Sequence, residues 1–415
     1  MSVPAIPLPN ARGSVSASGY CFILSWPFEL TGGVNQVVRN LILEFQKDKH
    51  RLGQPLALEL AEDPKPDDIL DSGVRRVHLQ LRSPYVRKKP FSSAAAFLVH
   101  LPGALLRLRA LCRENRIGVL NMHYPDLEAL NLVLLKVFGL FNGKVVLSLH
   151  GSDIRSAMQE TGMAKRIWRF MLRHASTVVA CSDGLRQEAL QLEARANVIT
   201  IHNGIDVDRF SADVDPEFRW PLELNGKRII INVAQFEFRK GHDILLTAFR
   251  KVRAAHQDVA LVLVGAPGPT SSAIQDMIRD LNLSDSVFCR GAIPHSKIYD
   301  LLRHATLFAL ATRWRKGVMG EGFAIALLEA AAARLPVVAT ASCGVAEIIH
   351  NGETGRIVPL EDAAALAAAI SEMLDQPDAA VAMSEKLHAV VREQFTWRRA
   401  AEKYAALLGD YTSVR

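Results

Sequence analysis

Short apolar runs of strand length recur along the chain, and amphipathic stretches of helical length separate them. Runs in which nearly every position is apolar predict strands buried on both faces, because a half-exposed strand would alternate apolar and polar residues. A helix after each strand indicates parallel sheets with helices on both sides. In the first half the predicted strands have the sequences YCFILSW, IGVLNMH, KVVLSLH, STVVACS and NVITIHN.

The second half repeats this alternation with RIIINVAQ, VALVLVG, SVFCRG, ATLFALA and PVVAT. The chain has 415 residues, more than one hydrophobic core usually supports. We therefore predict two doubly wound α/β domains, with Rossmann-like parallel sheets, over residues 1–205 and 206–394. The turn NGIDVDRF between them is interpreted as a hinge, which makes Asp206 and Asp208 hinge residues instead of a metal site.

Composition narrows the class of protein. Apolar residues make up 49% of the chain and charged residues 22%, as in soluble globular proteins. Five cysteines without metal-ligand spacing, and an N-terminus that does not resemble a signal peptide, predict a cytoplasmic protein with reduced thiols. The net charge of +6 favours acidic partners, but basic and aromatic residues do not interleave as in a nucleic-acid-binding module.

Ligands of doubly wound folds bind beyond the carboxyl ends of the strands, so the turns that follow the strands are the candidate sites. Gly32 and Gly33 follow the first strand and open a helix, where free N–H groups can bind an anion. A tight turn explains the same glycines equally well. His123 and His150 each end a strand, and their shared edge favours sugar or phosphate binding over a purely structural role, with Asp153 close by in SLHGSD.

In the second half, Arg239 and Lys240 precede a predicted helix, where cations oppose the helix dipole unless an anion binds between them. A solvated surface pair is the alternative. Glu321 and Glu329 stand among apolar residues in GEGFAIALLEAAAARLPVVAT, where an unpaired carboxylate is costly. Vicinal hydroxyls of a sugar and of a ribose would each satisfy one carboxylate, whereas an ordinary amphipathic helix is the competing interpretation.

These motifs together resemble the retaining GT-B glycosyltransferases of the glycosyltransferase-4 family, also called glycosyl transferases group 1. The carboxylate segment is similar to the family signature EGFGxxxxEAxAxGxPVV, and the resemblance extends over nearly the whole chain. Its further elements are TGGVNQVV, NMHYPD, SLHGSD, VACSDGL, ITIHNGIDVDRF, FRKGHD, LVLVGAPGP, GVAEIIHNGETGRIVP and FTWRRAAEKYAALL. The resemblance implies a GT-B fold with a C-terminal helix, within 395–415, that crosses back to the first domain.

The resemblance also implies a role for each motif residue. Gly32 and Gly33 would bind the donor diphosphate through N–H groups, and Lys240 would neutralise that diphosphate as it leaves. Glu321 would hold donor-sugar hydroxyls and Glu329 the nucleotide ribose. Further implied contacts are backbone N–H groups of Gly322, Phe323 and Ala324 near the phosphates, His123 beside the transferred sugar, and His150 with Asp153 in the vicinity of the acceptor or sugar.

By this resemblance the activity is transfer of a hexose, with retention and without a metal or other cofactor, from a UDP- or GDP-sugar to a glycan or lipid-linked acceptor. The product would belong to cell-surface polysaccharide or glycolipid biosynthesis. A hydrolase or epimerase of nucleotide sugars on the same fold is the enzyme alternative. A catalytically silent sugar-nucleotide-binding relative is the non-enzyme alternative. No GxGxxG follows the first strand, as a nicotinamide oxidoreductase would need.

The chain departs from the family pattern at several positions. Gln235 replaces the usual phosphate-binding arginine, so the adjacent Arg239 is a candidate to supply the missing charge. Ala324 and Arg334 replace glycines. The basic segment Arg313–Gly320 has no counterpart in the signature, and a lid, an acceptor contact and a solvated loop all fit it.

A basic and leucine-rich segment, Arg82–Arg116, carries eight cations against Glu114 alone. Such a segment predicts peripheral contact with an anionic membrane at the inner face of the cell membrane, which would suit a lipid-linked acceptor. An ordinary basic helix with one buried face has the same pattern.

Overall fold

The computed structural model describes residues 19–409 except 31, 64, 212–217, 219, 316–319 and 343. The prediction that the N-terminus is not a signal peptide concerns residues outside the described part of the chain. The middle of the segment Arg313–Gly320 also lies outside it. The described residues form two α/β domains, each built on one sheet.

In the first domain, runs of apolar residues form buried strands, and amphipathic helices cover them. Its elements in chain order are β1 (Gly19–Leu24), α1 (Gly33–Lys47), α2 (Lys49–Leu52), β2 (Gln54–Leu60), β3 (Asp68–Ile69), β4 (Arg75–Leu79), α3 (Pro90–Glu114), β5 (Ile117–His123), α4 (Leu130–Val137), β6 (Lys144–Leu149), α5 (Ser152–Gln159), α6 (Gly162–His174), β7 (Thr177–Ala180), α7 (Asp183–Leu192), β8 (Val198–Thr200) and α8 (Val207–Ser211).

The second domain has the same alternation. Its elements are β9 (Arg228–Val233), α9 (His242–Ala255), β10 (Val259–Val264), α10 (Ser271–Asp280), β11 (Val287–Arg290), α11 (His295–Arg303), β12 (Leu307–Leu310), α12 (Ile325–Ala332), β13 (Val337–Thr340), α13 (Val345–Ile348), β14 (Arg356–Val358), α14 (Ala363–Asp375) and α15 (Pro377–Gln394). A final helix, α16 (Trp397–Ala405), follows. Short 3-10 turns lie at Leu127–Ala129, Leu222–Leu224, Phe238–Lys240 and Ala406–Leu408.

The strand orders confirm two doubly wound sheets. The first sheet has the order β3-β4-β2-β1-β5-β6-β7-β8 and the second β11-β10-β9-β12-β13-β14. The pairings are parallel except for β3, which runs antiparallel to β4 at the edge of the first sheet. The sequence pattern did not identify β2, β3, β4 and β14. Each sheet reverses its order once, between β1 and β5 and between β9 and β12, and such switch points open a crevice for a ligand.

The last helix returns to the first domain, as the resemblance implied. Trp397 and Tyr404 of α16 are buried in the same apolar cluster as Tyr20 and Phe22 of β1. The chain crosses between the domains twice, and the two crossings lie side by side, because Ile205 donates its N–H to the Phe395 carbonyl at 2.8 Å. The predicted boundary at residue 205 thus falls within the first crossing.

Helix α3 differs from the other described helices in length and exposure. Within the described residues it is the one helix long and apolar enough to cross a membrane by length and composition, with a hydropathy of 1.4 over its most apolar stretch. Only 33% of that stretch is buried. A core helix of a soluble protein can meet the same criterion, so the finding is weak support for any contact with lipid.

Candidate active site

The ammonium of Lys240 and the carboxylate of Glu321 form an ion pair in the second domain. Lys240 follows β9 and Glu321 follows β12, the two strands that flank the switch point of this sheet. The side chains are 13% and 12% exposed. Buried charges are costly unless hydrogen bonds satisfy them, so the crevice suits a ligand that carries both phosphate and hydroxyl groups.

The loop that carries Lys240 is held by Arg313, a residue of the unexplained basic segment. Its guanidinium donates to both carboxylate oxygens of Asp243, at 2.7 and 2.6 Å, and to the Phe238 carbonyl at 3.0 Å. It also lies 4.2 Å over the Phe238 ring and donates to Glu361 at 2.9 Å. Arg313 is 8% exposed. It therefore fixes the loop structurally, and this part of the segment is not a solvated loop.

The charge of Lys240 depends on its surroundings. Burial lowers the pKa of its ammonium to about 7, and the neighbouring Arg239 contributes to the shift. The contact with Glu321 acts in the opposite direction, because an adjacent negative charge favours the protonated amine. A phosphate beside Lys240 would favour protonation in the same way.

Arg239 lies next to Lys240 in the chain but is paired elsewhere. Its Nε donates to the Glu237 carboxylate at 2.6 Å, and 37% of its side chain is exposed. Gly241 follows in the left-handed region at φ 65°, and a Cβ there would lie 2.0 Å from the Ala311 carbonyl oxygen. Only glycine fits this turn, which brings the Lys240 loop close to the end of β12.

A small cavity adjoins this loop at the carboxyl ends of β9, β10 and β11. Gln235, the residue in place of the family's arginine, contributes to its wall. The lining is otherwise apolar or backbone, and comprises Val233, Ala234, Val264, Gly265, Ala266, Ala292, Ile293 and Ile298. A flat apolar ring with polar edges, such as a nucleobase, suits walls of this kind. The sequence motifs did not identify this cavity.

Glu329 is 4% exposed on α12, which begins at Ile325. Burial, together with smaller causes that include the charge of Glu329, raises the pKa of the nearby Tyr299.

The N-terminus of α12, at Ala324, has no side-chain cap, so its N–H groups are suited to an anion. The Phe323 ring lies at the interdomain crossing, 5.4 Å from the ring of His202, and the implied contact of its backbone N–H with a phosphate stays a prediction.

On the first-domain side, the structure joins the two predicted histidines. His123 Nδ1 lies 3.1 Å from His150 Nε2. His123 is fully buried, whereas His150 is half-buried and lies nearer the cleft. Burial lowers the pKa of His150 to about 4 and that of His123 well below its usual value, so both rings are neutral at neutral pH. His123 therefore stands behind His150, and its implied role beside the transferred sugar stays a prediction.

Hydrogen bonds determine which nitrogens of these rings carry protons. Ser148 Oγ donates to Asn121 Oδ1 at 2.8 Å, so the Asn121 amide nitrogen is the group that donates to His123 Nε2 at 3.0 Å. His123 must then carry its proton on Nδ1 and donate it to His150 Nε2. His150 is thereby left with an Nδ1–H donor, which can bind a sugar hydroxyl or a phosphate oxygen.

Asp153 supports His150 instead of facing the cleft itself. Its carboxylate is 3% exposed and accepts backbone N–H groups of His150, Gly151 and Ile154, each at 2.8 Å. Burial raises the pKa of Asp153 to about 6, although the three N–H groups oppose this shift. Asp153, in the first turn of α5, thus holds the backbone of His150 and Gly151 in place.

Gly32 and Gly33 stand at the start of α1, beyond the carboxyl end of β1. A Cβ at either position would meet nothing within 4 Å, so both face open space. Gly32 caps α1 without a side-chain hydrogen bond. The two glycines thus stand at a helix N-terminus beside the first-domain switch point, and their implied contact with the donor diphosphate stays a prediction.

The two halves of the site meet at Gly322. A Cβ on Gly322 would lie 2.1 Å from the His150 carbonyl oxygen and 2.9 Å from Cys181 Sγ, so only glycine permits this approach. The loop with Glu321 therefore lies directly against the strand end that carries His150.

Within the described residues, no group of three or more His, Cys, Asp or Glu side chains is arranged to hold a metal ion. In the hinge, Oδ2 of Asp206 forms an ion pair with Nε of Arg209 at 3.6 Å.

Two family models match the chain one after the other. The model described as Glycosyltransferase Family 4 matches residues 31–209, and the model described as Glycosyl transferases group 1 matches residues 214–389. The first match covers most of the first domain, and the second covers the domain with Lys240, Glu321 and Glu329.

Curated relatives include mannosyltransferases. A GDP-mannose-dependent alpha-(1-6)-phosphatidylinositol monomannoside mannosyltransferase of Mycolicibacterium smegmatis is 28% identical over 66% of this chain and 72% of its own length. A phosphatidyl-myo-inositol mannosyltransferase of Mycobacterium leprae is 26% identical over 85% of this chain and 86% of its own length.

Solved structures share the fold at lower identity. A sucrose-phosphate synthase of Thermosynechococcus elongatus superposes with a TM-score of 0.72 at 21% identity, over 94% of this chain and 98% of its own. HepE of Anabaena in complex with UDP gives a TM-score of 0.72 at 16% identity, over 94% and 99% of the two chains.

Proposed function

Because the chain belongs to the glycosyltransferase-4 family and acts as a glycosyltransferase on nucleotide sugars, we propose that it transfers a hexose from a UDP- or GDP-sugar to a glycan or lipid-linked acceptor. The ion pair between Lys240 and Glu321 at the switch point carries this proposal. A cation and a carboxylate side by side suit a nucleotide sugar, whose diphosphate and sugar hydroxyls are adjacent groups.

The donor lies along the carboxyl edge of the second sheet. Its base occupies the cavity beside Gln235, its ribose binds Glu329 and its diphosphate binds Lys240 and the N-terminus of α12. The sugar then reaches between Glu321 and His150, where the two domains meet at Gly322. The UDP complex of HepE supports a uridine donor, and the GDP-mannose-dependent relatives support a guanosine donor.

The transfer proceeds with retention and without a metal ion. The acceptor hydroxyl attacks from the face that the diphosphate leaves, and the leaving phosphate takes its proton. Negative charge develops on the diphosphate, and the ammonium of Lys240 and the helix N–H groups stabilise it. Proton NMR of the product anomer tests retention. Turnover in EDTA tests metal independence.

A lipid-linked acceptor accords with the surface of α3 in the first domain. Phe91, Leu98 and Leu106 follow one another at intervals of about two turns on its outward side. They are 90%, 65% and 61% exposed, whereas Phe97 and Leu108 on another side of the helix are buried. An apolar stripe on the solvent side of a helix is typical of helices that lie in a membrane surface.

Cations surround this stripe. Those that precede the helix or lie exposed on it are Arg87, Lys88, Lys89, Arg107, Arg109 and Arg113. The first turn of α3 is at the sheet edge where the strands end, because a helix that connects parallel strands runs against them. The N-terminal half of α3, which carries Phe91 and Leu98, therefore lies on the side of the first domain where the cleft opens. We propose peripheral attachment at the cytoplasmic face of the membrane, with the product entering polysaccharide or glycolipid synthesis.

A donor panel tests the function directly. Thermal unfolding is measured with UDP, GDP and their sugars, and transfer is measured with labelled donors and lipid or oligosaccharide acceptors. A nucleotide at a hundred times its Kd should stabilise the protein by about 2.7 kcal/mol. Stabilisation by neither nucleotide would contradict the proposal. Release of free sugar with every acceptor would indicate a hydrolase.

A further inference from the structure

Arg155 and Glu188 form a buried ion pair in the first domain, apart from the motif residues. Arg155 lies on α5 and Glu188 on α7, and each is 2% exposed. Arg155 Nε lies 2.9 Å from Glu188 Oε2, and Arg155 Nη2 donates to Glu188 Oε1 at 3.2 Å. Burial of two charges is costly, and only additional hydrogen bonds of good geometry offset that cost.

Additional hydrogen bonds come from the second domain. Arg155 Nη1 donates to the Gly320 carbonyl at 2.9 Å, and Nη2 donates to the Glu321 carbonyl at 3.1 Å. Trp314 Nε1 donates to Glu188 Oε1 at 3.3 Å. The ion pair therefore binds both ends of the segment 314–321, which belongs to the other domain.

The same helix α7 receives a second contact from the opposite domain. Glu347, on α13, accepts the N–H groups of Asp183 at 2.9 Å and of Gly184 at 3.3 Å, at the positive end of the α7 dipole. It also pairs with His202 at 2.7 Å. The second domain thus docks on α7 at its N-terminus and again at Glu188.

We propose that Arg155 is a positioning residue that, with Glu188, couples docking of the two domains to the placement of Glu321. Arg155 touches only the main chain of Glu321, so it acts through that residue and not on the substrate. Because the guanidinium can bind the Gly320 and Glu321 carbonyls only when the second domain lies against the first, Arg155 holds the main chain of Glu321 only in the docked arrangement. The main chain in turn sets the position from which the Glu321 carboxylate reaches Lys240 and the sugar. The effect on transfer rests on the proposed function, whereas the docking does not.

Two variants of the pair test this inference. Arg155→Lys keeps the charge but loses the planar fork that reaches two carbonyls. Glu188→Gln keeps the volume and removes the charge. Arg169→Lys and Glu193→Gln are the matched controls, because this pair, 3.2 Å apart, joins two parts of the first domain. Small-angle scattering reports the domain arrangement, and titration with UDP and GDP reports nucleotide binding in the second domain.

For Arg155→Lys and Glu188→Gln we expect a larger radius of gyration and at least a tenfold lower kcat, with nucleotide Kd within twofold of the wild-type. The controls should leave all three values unchanged. If the pair had a purely structural role, the two variants would lose thermal stability, and their kcat and nucleotide affinity would fall together.

Wild-type scattering from both variants would overturn the docking role. A changed radius of gyration with wild-type kcat would overturn the placement of Glu321. If the wild-type transfers no sugar from any donor, the proposed function fails, and the scattering comparison still decides whether the pair holds the domains together. Should Arg155→Lys fail to fold, Glu188→Gln decides.

Discussion

Lys240 and Glu321 contact each other although they follow different strands, β9 and β12, that become neighbours only in the folded sheet. In the proposed function, a diphosphate that binds Lys240 would compete with Glu321 for the same ammonium. The carboxylate would then be available to the sugar hydroxyls next to the diphosphate. The contact would thus join the proposed sites of the leaving group and of the sugar.

The first prediction concerns the two glutamates. Glu321→Ala should nearly abolish transfer, and Glu329→Ala should weaken donor binding by about ten- to a hundred-fold, because a hydrogen bond to a charged group contributes about 1.5–3 kcal/mol. Donor titration and initial rates measure both effects. Glu353→Ala, with 65% of the side chain exposed, is the control. Wild-type turnover by both variants would mean that the two glutamates are structural.

The second prediction is proton uptake on donor binding. The pKa of Lys240 is lowered to about 7, so much of the protein carries a neutral amine at pH 8. A diphosphate favours the ammonium and raises that pKa, and donor affinity should therefore fall by up to tenfold per pH unit above about pH 7.

Calorimetry at pH 7.5 in two buffers of different ionisation enthalpy measures this uptake. Lys240→Met should bind donor weakly and without proton uptake. A wild-type protein that binds donor without taking up a proton would contradict the assignment of Lys240 to the diphosphate.

The third prediction concerns the absent arginine at position 235. Lys240→Ala should be the most damaging change in its loop, and Arg239→Ala should lower kcat measurably if Arg239 leaves Glu237 to reach the phosphates. Gln235→Arg should then give little gain alone but rescue Arg239→Ala. Steady-state rates of the double variant decide. A double variant no faster than Arg239→Ala would leave Lys240 as the cation that acts on the leaving group.

The fourth prediction is structural. Asp153→Asn should lower the free energy of unfolding by about 1–3 kcal/mol, because an amide nitrogen cannot accept the N–H groups that both carboxylate oxygens bind. Urea unfolding measures this loss. Asp126→Asn is the control, since Asp126 accepts one N–H, from Leu127 at 2.7 Å, at a less buried turn. Equal losses in the two variants would argue against a special role for Asp153.

The fifth prediction concerns the outward face of α3. The wild-type should sediment with anionic vesicles and not with neutral ones, and Leu98→Glu with Leu106→Glu should abolish sedimentation, because charge on the apolar stripe opposes insertion. Val381→Glu is the control, at an exposed apolar position of the second domain. Binding that does not depend on lipid charge, or no binding at all, would end the proposal of membrane attachment.

The sequence by itself determined the fold class, and it indicated the loops in which we propose the donor site. Strands that are apolar at every position can be stable only inside a sheet covered on both faces, and loops that end such strands meet at one edge. Lys240, Glu321 and Glu329 could therefore be proposed as donor-binding residues from local patterns. The strand β2 was missed although Gly53 precedes it, because QPLALEL contains Pro55, which is unusual inside a strand, and Glu59, whose burial depends on Arg76 of another strand.

Only the tertiary structure decided how the first-domain residues are arranged and how the domains meet. His123 and His150 have equivalent sequence contexts, yet the chain of hydrogen bonds from Ser148 buries one behind the other. The Arg155–Glu188 pair has no local pattern at all. Burial of its two charges is offset by hydrogen bonds to Trp314, Gly320 and Glu321, which come from the other domain. Contacts between residues so far apart in the chain leave no periodic signal in the sequence.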